Sequence, residues 1–426
     1  MTTAMGAQLR RIQLGNALAA FGNGFTMPFL FVYASKVRGL GDGTAGAVLA
    51  VFAAAALVVL PFTGRVIDRR GPMVTVVFGA VAAALGALAF SAAATSGAAL
   101  GAAGLMGGGI AVLQPSLATM IVWCSSTVNR SRAFATQFFL NNLGLGIGGL
   151  IGGFVVDENS AGSFLVLFGI EAAMFMVLLV VLLTVRLPSA PGFDGDEEVP
   201  EGRTGSGWAV LLRDRSMVLL CVLGFVVFFA CYGQFESGLA AYAVEVTRIS
   251  TATLGTALAA NTAAIVLAQF VVLRLVERRR RSRVIAVVGL IWTLAWLAAG
   301  ASGLVEGGQG VATALLISTY ALFGVGETML SPTVAPLVAD LAPSRLVGQY
   351  NSAFALVRQL ALAIGPAVGG MLAAAGAYAF YIGMLVVCSL GISVLALVLG
   401  RRLTHRQDRP GRPVPVGVEE SVAVGA

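Results

Sequence analysis

Apolar runs separated by short polar breaks recur along the whole chain. The breaks delimit twelve of them: residues 14–35, 45–64, 73–94, 99–124, 133–156, 163–186, 216–242, 251–275, 284–304, 310–338, 348–376 and 377–400. Each approaches or exceeds the roughly 20 residues that cross a hydrocarbon layer. Each is predicted to be helical, because an open strand edge has nothing to hydrogen-bond in lipid. These runs are numbered spans 1 to 12. One long polar connection, rich in Pro188, Pro191, Asp194, Asp196, Glu197, Glu198 and Pro200, divides six spans from six. The expected architecture is an all-α membrane protein. It comprises a six-helix bundle over residues 1–186, a largely irregular linker over 187–215, a second bundle over 216–402 and a disordered polar tail over 403–426. No small-residue cleavage site follows the first run, so it reads as a retained helix with no targeting peptide.

The two sets of six repeat. Shifted by 217, Gly109, Pro115, Gly148, Gly152 and Gly153 fall on Gly326, Pro332, Gly365, Gly369 and Gly370. Shifted by 209, Gly24, Tyr33, Thr44, Gly46, Leu49, Asp68, Arg69 and Arg70 fall on Gly233, Tyr242, Thr253, Gly255, Leu258, Glu277, Arg278 and Arg279. In a chain with 54 glycines the glycines alone could coincide, but the tyrosine, the proline and the acid–Arg–Arg turn carry more weight. A six-plus-six repeat predicts two pseudo-symmetric bundles with a substrate between them and access that alternates by rocking.

Composition agrees with a membrane chain: 58% hydrophobic residues, 11% charged and a mean hydropathy of +0.90. The excess of Lys and Arg (27 against 20 acids) lies in clusters at alternate breaks, including Arg10-Arg11, Arg69-Arg70, Arg130/Arg132 and Arg401-Arg402. That asymmetry places both termini in the cytoplasm and argues against a nucleic-acid partner. Cys124, Cys221, Cys231 and Cys388 have no paired spacing, and His405 is the one histidine, so neither a disulfide framework nor a metal or cofactor site is expected.

The loop between spans 2 and 3 reads Gly64-Arg65-Val66-Ile67-Asp68-Arg69-Arg70-Gly71. It resembles motif A of the major facilitator superfamily, with Pro72-Met73 in place of the usual trailing basic pair. The likeness extends over essentially the whole chain. Span 5, with Gly144, Gly148, Gly149, Gly152 and Gly153, and span 11, with Ala361, Gly365, Pro366, Gly369 and Gly370, resemble the antiporter-associated motif C; in span 5 Gly149 replaces the proline. The arginine usual in motif B of span 4 is absent from Gly104 to Gly109. The family implies that Asp68 faces the start of span 11 near Gly348, where the helix dipole stabilises an anion by about 0.3–1 kcal/mol. Gly64, Asp68, Arg69, Gly71, Gly148, Gly152, Gly365, Pro366 and Gly369 are therefore expected to work in gating. An ordinary basic turn and generic small-residue packing are the plainer readings of the same residues.

A charge at bilayer depth costs roughly 2.5–3.5 kcal/mol on insertion scales, so each needs a reason. Glu327 in span 10 and Arg358 in span 11 lie at mid-span, and Glu236 lies in the outer half of span 7. These three are the candidates for proton coupling, Glu327 first; a static Glu327–Arg358 ion pair is the alternative. Glu171 in span 6 falls on a helix the family places peripherally and reads as structural. The family also implies that spans 1, 4, 7 and 10 line a central cavity. Asn23, Phe25, Phe29, Gln114, Tyr232, Gln234, Phe235 and Tyr320 are its candidate lining, with Gln137 and Asn141 from span 5. Amides and aromatics together suit an amphipathic organic substrate.

The resemblance implies a bacterial inner-membrane exporter, similar to twelve-span drug:proton antiporters, working as a monomer with protons and a small organic substrate as its partners. A proton-linked importer of a small metabolite is the alternative within that class. An intramembrane enzyme lacks its nucleophile–base or metal set at depth, and a sensor lacks a soluble domain.

Overall fold

The computed structural model describes residues 3–157, 160–188, 207–235, 237–277, 279–305 and 308–410. The apolar runs become helices that begin and end on local signals. Thr95, Ser126 and Ser250 accept hydrogen bonds from the third residue onward, capping spans 4, 5 and 8 (Ser96–Trp123, Thr127–Val155 and Thr251–Val276). Asp214 caps Arg215–Ala230 through the N–H groups of Ser216 and Met217. Span 2 (Gly41–Arg70) stops where Gly71 takes a φ of 82°, and Pro72 opens span 3 (Pro72–Ala92). Span 6 is Ala161–Leu183, span 9 Arg281–Ser302, span 11 Val347–Ala374 and span 12 Tyr378–Gly400.

Three spans are interrupted. Span 1 (Thr3–Thr26) passes through a 3-10 turn at Met27–Phe29, where Pro28 lacks an N–H, and ends in a π turn at Tyr33–Val37. Span 10 runs Gln309–Leu330, breaks around Pro332 and resumes at Val334–Leu341. Span 7 stops at Ala230, turns over residues 231–235 and resumes as Gly238–Glu245. Among the described residues eleven helices are long and apolar enough to cross a membrane, and the shorter apolar Arg215–Ala230, continued by Gly238–Glu245, is consistent with a twelfth.

The buried side chains form two main cores. One draws on spans 1 to 6, with Ile12, Val76, Phe90, Met106, Phe168 and Leu178. The other draws on spans 7 to 12, with Leu220, Trp292, Trp296, Phe323, Tyr381 and Leu385. Large apolar side chains such as Phe62, Phe78, Phe154, Leu267 and Phe380 lie on the outside. Lipid is the solvent in which such a surface is stable.

Within each half, glycines set the closest helix approaches. A side chain at Gly148 would collide with the Phe21 carbonyl of span 1, and one at Gly365 would meet the Gly233 backbone of span 7. The polar segments depart from expectation in two places. The end of the linker is helical at Gly207–Arg213, and its Trp208 indole donates to the Pro61 carbonyl (3.1 Å). The start of the tail also forms a helix, His405–Asp408, under a Thr404–Gln407 capping box, and Asp408 accepts from the Ser282 N–H (2.9 Å). Pattern alone misses both, because seven and four residues are too short to show a helical period. Residues 189–206 and 411–426 lie outside the described residues.

Gly148→Val should push spans 1 and 5 apart, an overpacking cost of about 1–3 kcal/mol or more. Fluorescence-detected size exclusion with thermal challenge should show lower monodisperse yield. Gly370→Ala, which enters open space, should behave as the parent.

Candidate functional site

The two halves meet at the end that carries the basic loops. The N–H groups of Gly348 (2.6 Å) and Gln349 (3.0 Å), in the first turn of span 11, donate to the two carboxylate oxygens of Asp68. Two charge-assisted bonds and the positive end of a helix dipole hold that anion. Gly64 makes the approach possible, since a Cβ there would sit 2.5 Å from the Gln349 Cα. Arg69 is exposed.

The repeat places a second latch opposite. Glu277 is the register partner of Asp68, and Arg132 that of Gln349. Arg132 donates from Nε and Nη2 to the two oxygens of Glu277 (3.0 and 3.2 Å). Asp340, at the end of span 10, is shared between Arg130 of the first half and Arg281 of the second, the latter at 2.6 Å. Arg281 also donates to the Ser131 hydroxyl (3.3 Å) and to the Gln407 carbonyl (3.1 Å).

Further along, Asn351 donates to the Thr119 hydroxyl (3.3 Å), Ser331 to the Phe134 carbonyl (3.1 Å) and Gln269 to the Ala135 carbonyl (3.4 Å). These contacts are a floor. Arg358 lies seven residues beyond Asn351 on the same face of span 11, about 10 Å higher. Asn351 is buried against the first half, whereas Arg358 is exposed. Thr119 is buried as well, and Gln114 on the same span is exposed. The halves therefore part above the floor, and the cleft opens away from the basic loops.

Span 7 is interrupted beside this cleft, and side chains satisfy the carbonyls that its break releases. Gln234 donates to the carbonyls of Phe229 (3.0 Å) and Gly365 (3.2 Å) while accepting from the Tyr381 hydroxyl (3.1 Å). The Trp296 indole donates to Ala230, Ser237 to Gly233, and the Tyr320 hydroxyl to Phe235. Without such partners each stripped carbonyl would cost several kcal/mol in hydrocarbon.

Glu327 lies behind the break, almost fully buried. Asn261 of span 8 donates to its Oε1 (2.9 Å), and the Tyr232 hydroxyl is its other polar neighbour. No ion pair joins Glu327 to Arg358 among the described residues. The Arg358 guanidinium instead lies over the Phe228 ring, 5.4 Å from its centroid, with Tyr232 as its polar neighbour. The static pair expected as an alternative is not formed; Tyr232 is instead the polar neighbour of both groups.

Other expected residues divide. Tyr232 and Phe235 are half-buried beside the break, and Gln137, itself buried, donates to Asn141 Oδ1 (2.9 Å). Gln234 and Tyr320 are fully buried and seal the break. Phe25 and Phe29 lie against Gly152 of span 5, and Asn23 is half-buried. Gly148 and Gly152 pack on span 1, Gly365 and Gly369 on span 7, and Pro366 sits inside span 11, so these residues join helices of one half. Gly71 forms the turn. Glu236 lies outside the described residues. Asn261, Asn351, Thr119 and Asp340 were not anticipated. Their signal was a polar residue within or at the end of an apolar run.

A family model described as Major Facilitator Superfamily matches residues 12–361 and 240–423. Over 220 residues the chain is 22% identical to the quinolone resistance protein NorA of Staphylococcus aureus (strain MRSA252), covering 52% of this chain and 56% of NorA. The match thus spans little more than half of that relative. The uncharacterized MFS-type transporter YdeE of Escherichia coli (strain K12) is 23% identical over 375 residues, 86% of this chain and 90% of YdeE. Among solved structures, the E. coli fucose:proton symporter FucP superposes with a TM-score of 0.75 at 15% identity, covering 94% of this chain and 99% of that one. A FucP structure in the outward conformation gives 0.73 at 15% identity, covering 92% and 98%. These two likenesses establish the fold.

Asp68→Asn keeps the shape of the latch and removes its charge. The closed state should lose about 1 kcal/mol, several-fold in population. Alkylation of an Asn351→Cys reporter from the basic-loop side should speed up by that factor.

Proposed function

This chain belongs to the Major Facilitator Superfamily of membrane transporters, and on that premise we propose that it exports amphipathic organic compounds in exchange for protons. One observation carries the reading. Glu327 is a buried carboxyl held by two neutral donors and no cation, one turn above the Ser331–Phe134 contact that closes the cleft. Its charged form depends on those donors and on water, both of which change as the floor opens, so proton binding and access are linked. Arg358 acts on the same hydroxyl, that of Tyr232, from the cleft side, and Glu236 is the second carboxyl of the proposal.

Phe228, Tyr232 and Phe235 form a chain of ring contacts along the break, with centroids 5.2 and 6.1 Å apart. Gln114 and Asn141 offer amides from the facing half. Flat apolar bodies with one or two polar groups suit such a lining. The outward direction is supported by the glycine stripes of spans 5 and 11 and by the similarity to NorA, named for quinolone resistance. The reading puts the basic loops and both termini in the cytoplasm of a bacterium and takes the monomer as the working unit.

In proteoliposomes loaded with ethidium, an imposed inward proton gradient should drive dye out through the parent protein. Glu327→Gln should fold and still bind dye, with proton-driven movement reduced to the uncoupled background. Unchanged proton-driven movement would remove Glu327 from the mechanism, and gradient-driven uptake would reverse the direction.

A further inference from the structure

The kink of span 1 is the first-half counterpart of the span 7 break, since Gly24 and Gly233 are register partners. The second half answers its break with donors: an amide, an indole and three hydroxyls. The first half presents a carboxyl instead. Glu171 of span 6 has no exposed surface, and its two carboxylate oxygens have no hydrogen-bond partner among the described residues. Thr26, the last residue before the 3-10 turn, faces that carboxyl with its hydroxyl, outside normal hydrogen-bond geometry. Asn23, one turn earlier on span 1, also has a buried, unpartnered Oδ1. The backbones are close here, because a Cβ on Gly22 would lie 3.2 Å from the Glu171 Cα.

Two carboxylate oxygens meet the Thr26 hydroxyl in this contact, and the one donor there, the Thr26 O–H, makes no hydrogen bond. Glu171, if ionised, would be an uncompensated buried anion, which costs several kcal/mol. No cation is placed to relieve it. Span 6 packs on spans 1 and 3 and touches span 5; span 3 carries no charged residue, and Arg130 and Arg132 of span 5 are paired with Asp340 and Glu277 at the basic-loop end. On span 1, Arg10 and Arg11 lie at the basic-loop end, with Arg11 bound to the Thr184 carbonyl. At the other end stand Lys36, Tyr33 and Arg38. Tyr33 donates to the Phe90 carbonyl (2.7 Å), and Arg38 is committed to the Tyr33 hydroxyl and the Ser91 carbonyl. A divalent metal would need about six oxygen ligands, and no acid–His–Cys cluster accompanies Glu171 among the described residues.

We propose that Glu171 is a second proton-binding site, whose proton removes the buried charge and lets the carboxyl itself donate at the kink of span 1. The loaded acid donates to Thr26 or to a carbonyl released at Met27–Phe29, and so pins the kink against span 6. Loss of the proton leaves an anion that draws water into the contact and frees span 1 to bend at Pro28. Protonation is the whole chemistry: one O–H bond forms on the carboxylate and is broken again to water. A place for this proton in the transport cycle rests on the function proposed above; the site itself does not.

Infrared titration of the purified protein separates the two claims. In a Glu327→Gln background, a buried carboxylic-acid C=O band should be present at neutral pH and vanish at alkaline pH. It should be missing when Glu171→Gln is added. Thermal unfolding in the same background should track the band: stability falls as pH rises in Glu327→Gln and stays level once Glu171→Gln is added, whose amide supplies a permanent donor. Glu171→Leu, with no donor, should be less stable at neutral pH. A band that never titrates, no band at any pH, or stabilisation by sodium over potassium chloride that Glu171→Gln abolishes would each overturn the proposal. Should the parent move no ethidium under a proton gradient, the exporter reading fails while the infrared result still decides Glu171.

Discussion

A peptide group removed from water must find a partner inside the protein, and in hydrocarbon the cost of failing is several kcal/mol. An uninterrupted helix meets that demand unaided. Span 7 does not, because it stops at Ala230 and resumes at Gly238 at membrane depth. Much of the second-half interior follows from the need to repair it. Gln234 turns back on Phe229 and Gly365, Trp296 reaches Ala230, and Tyr320 reaches Phe235. Those large side chains in turn place Phe323 against Trp292, Trp296 and Phe235, which is the centre of the core. Glu327 sits in the polar pocket that this repair creates, held by Asn261, which also donates to the Tyr320 carbonyl.

The closure between halves uses the repeat but not identical chemistry on its two sides. Asp68 meets main-chain N–H groups that point along a helix axis, a geometry that a slide of either helix destroys. Glu277 meets a guanidinium on a flexible stem, which follows such a slide and is more exposed to water. The first latch is therefore the more directional and the second the more forgiving. Asp340 adds a third point of attachment, and because Arg281 and the Gln407 side-chain amide brace it, its position depends on the docked start of the tail.

Sequence periodicity disclosed the helices, and register shifts disclosed which of them correspond. The glycine spacing and the acid marked the turn at Asp68, but its contact with Gly348 was legible only through the resemblance to motif A, which supplied the partner helix. The Glu277–Arg132 contact was present in the same two shifts, hidden because both residues also satisfied the charge asymmetry of the loops. Gln234 and Tyr320 were expected in the cavity wall and are buried against span 7 itself. An amide or phenol at mid-membrane serves a ligand or a broken helix equally well, and nothing local in the sequence says where span 7 breaks. Phe25 and Phe29 were misleading for a related reason: the kink at Met27–Phe29 carries them onto the glycine face of span 5.

On the function proposed above, the placement of Glu327 also bears on how a proton would be felt at a distance. The carboxyl shares Tyr232 with Arg358, and Tyr232 belongs to the unwound stretch of span 7. A change in charge at Glu327 therefore acts first on an element whose backbone is held by side chains rather than by its own helix. Such an element has alternative arrangements at small energetic distance, which a continuous helix lacks. One turn below, Ser331 ties the same helix to the first half through the Phe134 carbonyl. A shift of span 10 driven from Glu327 reaches that floor contact within a single turn, so charge at the carboxyl and closure of the cleft bias the same short piece of backbone.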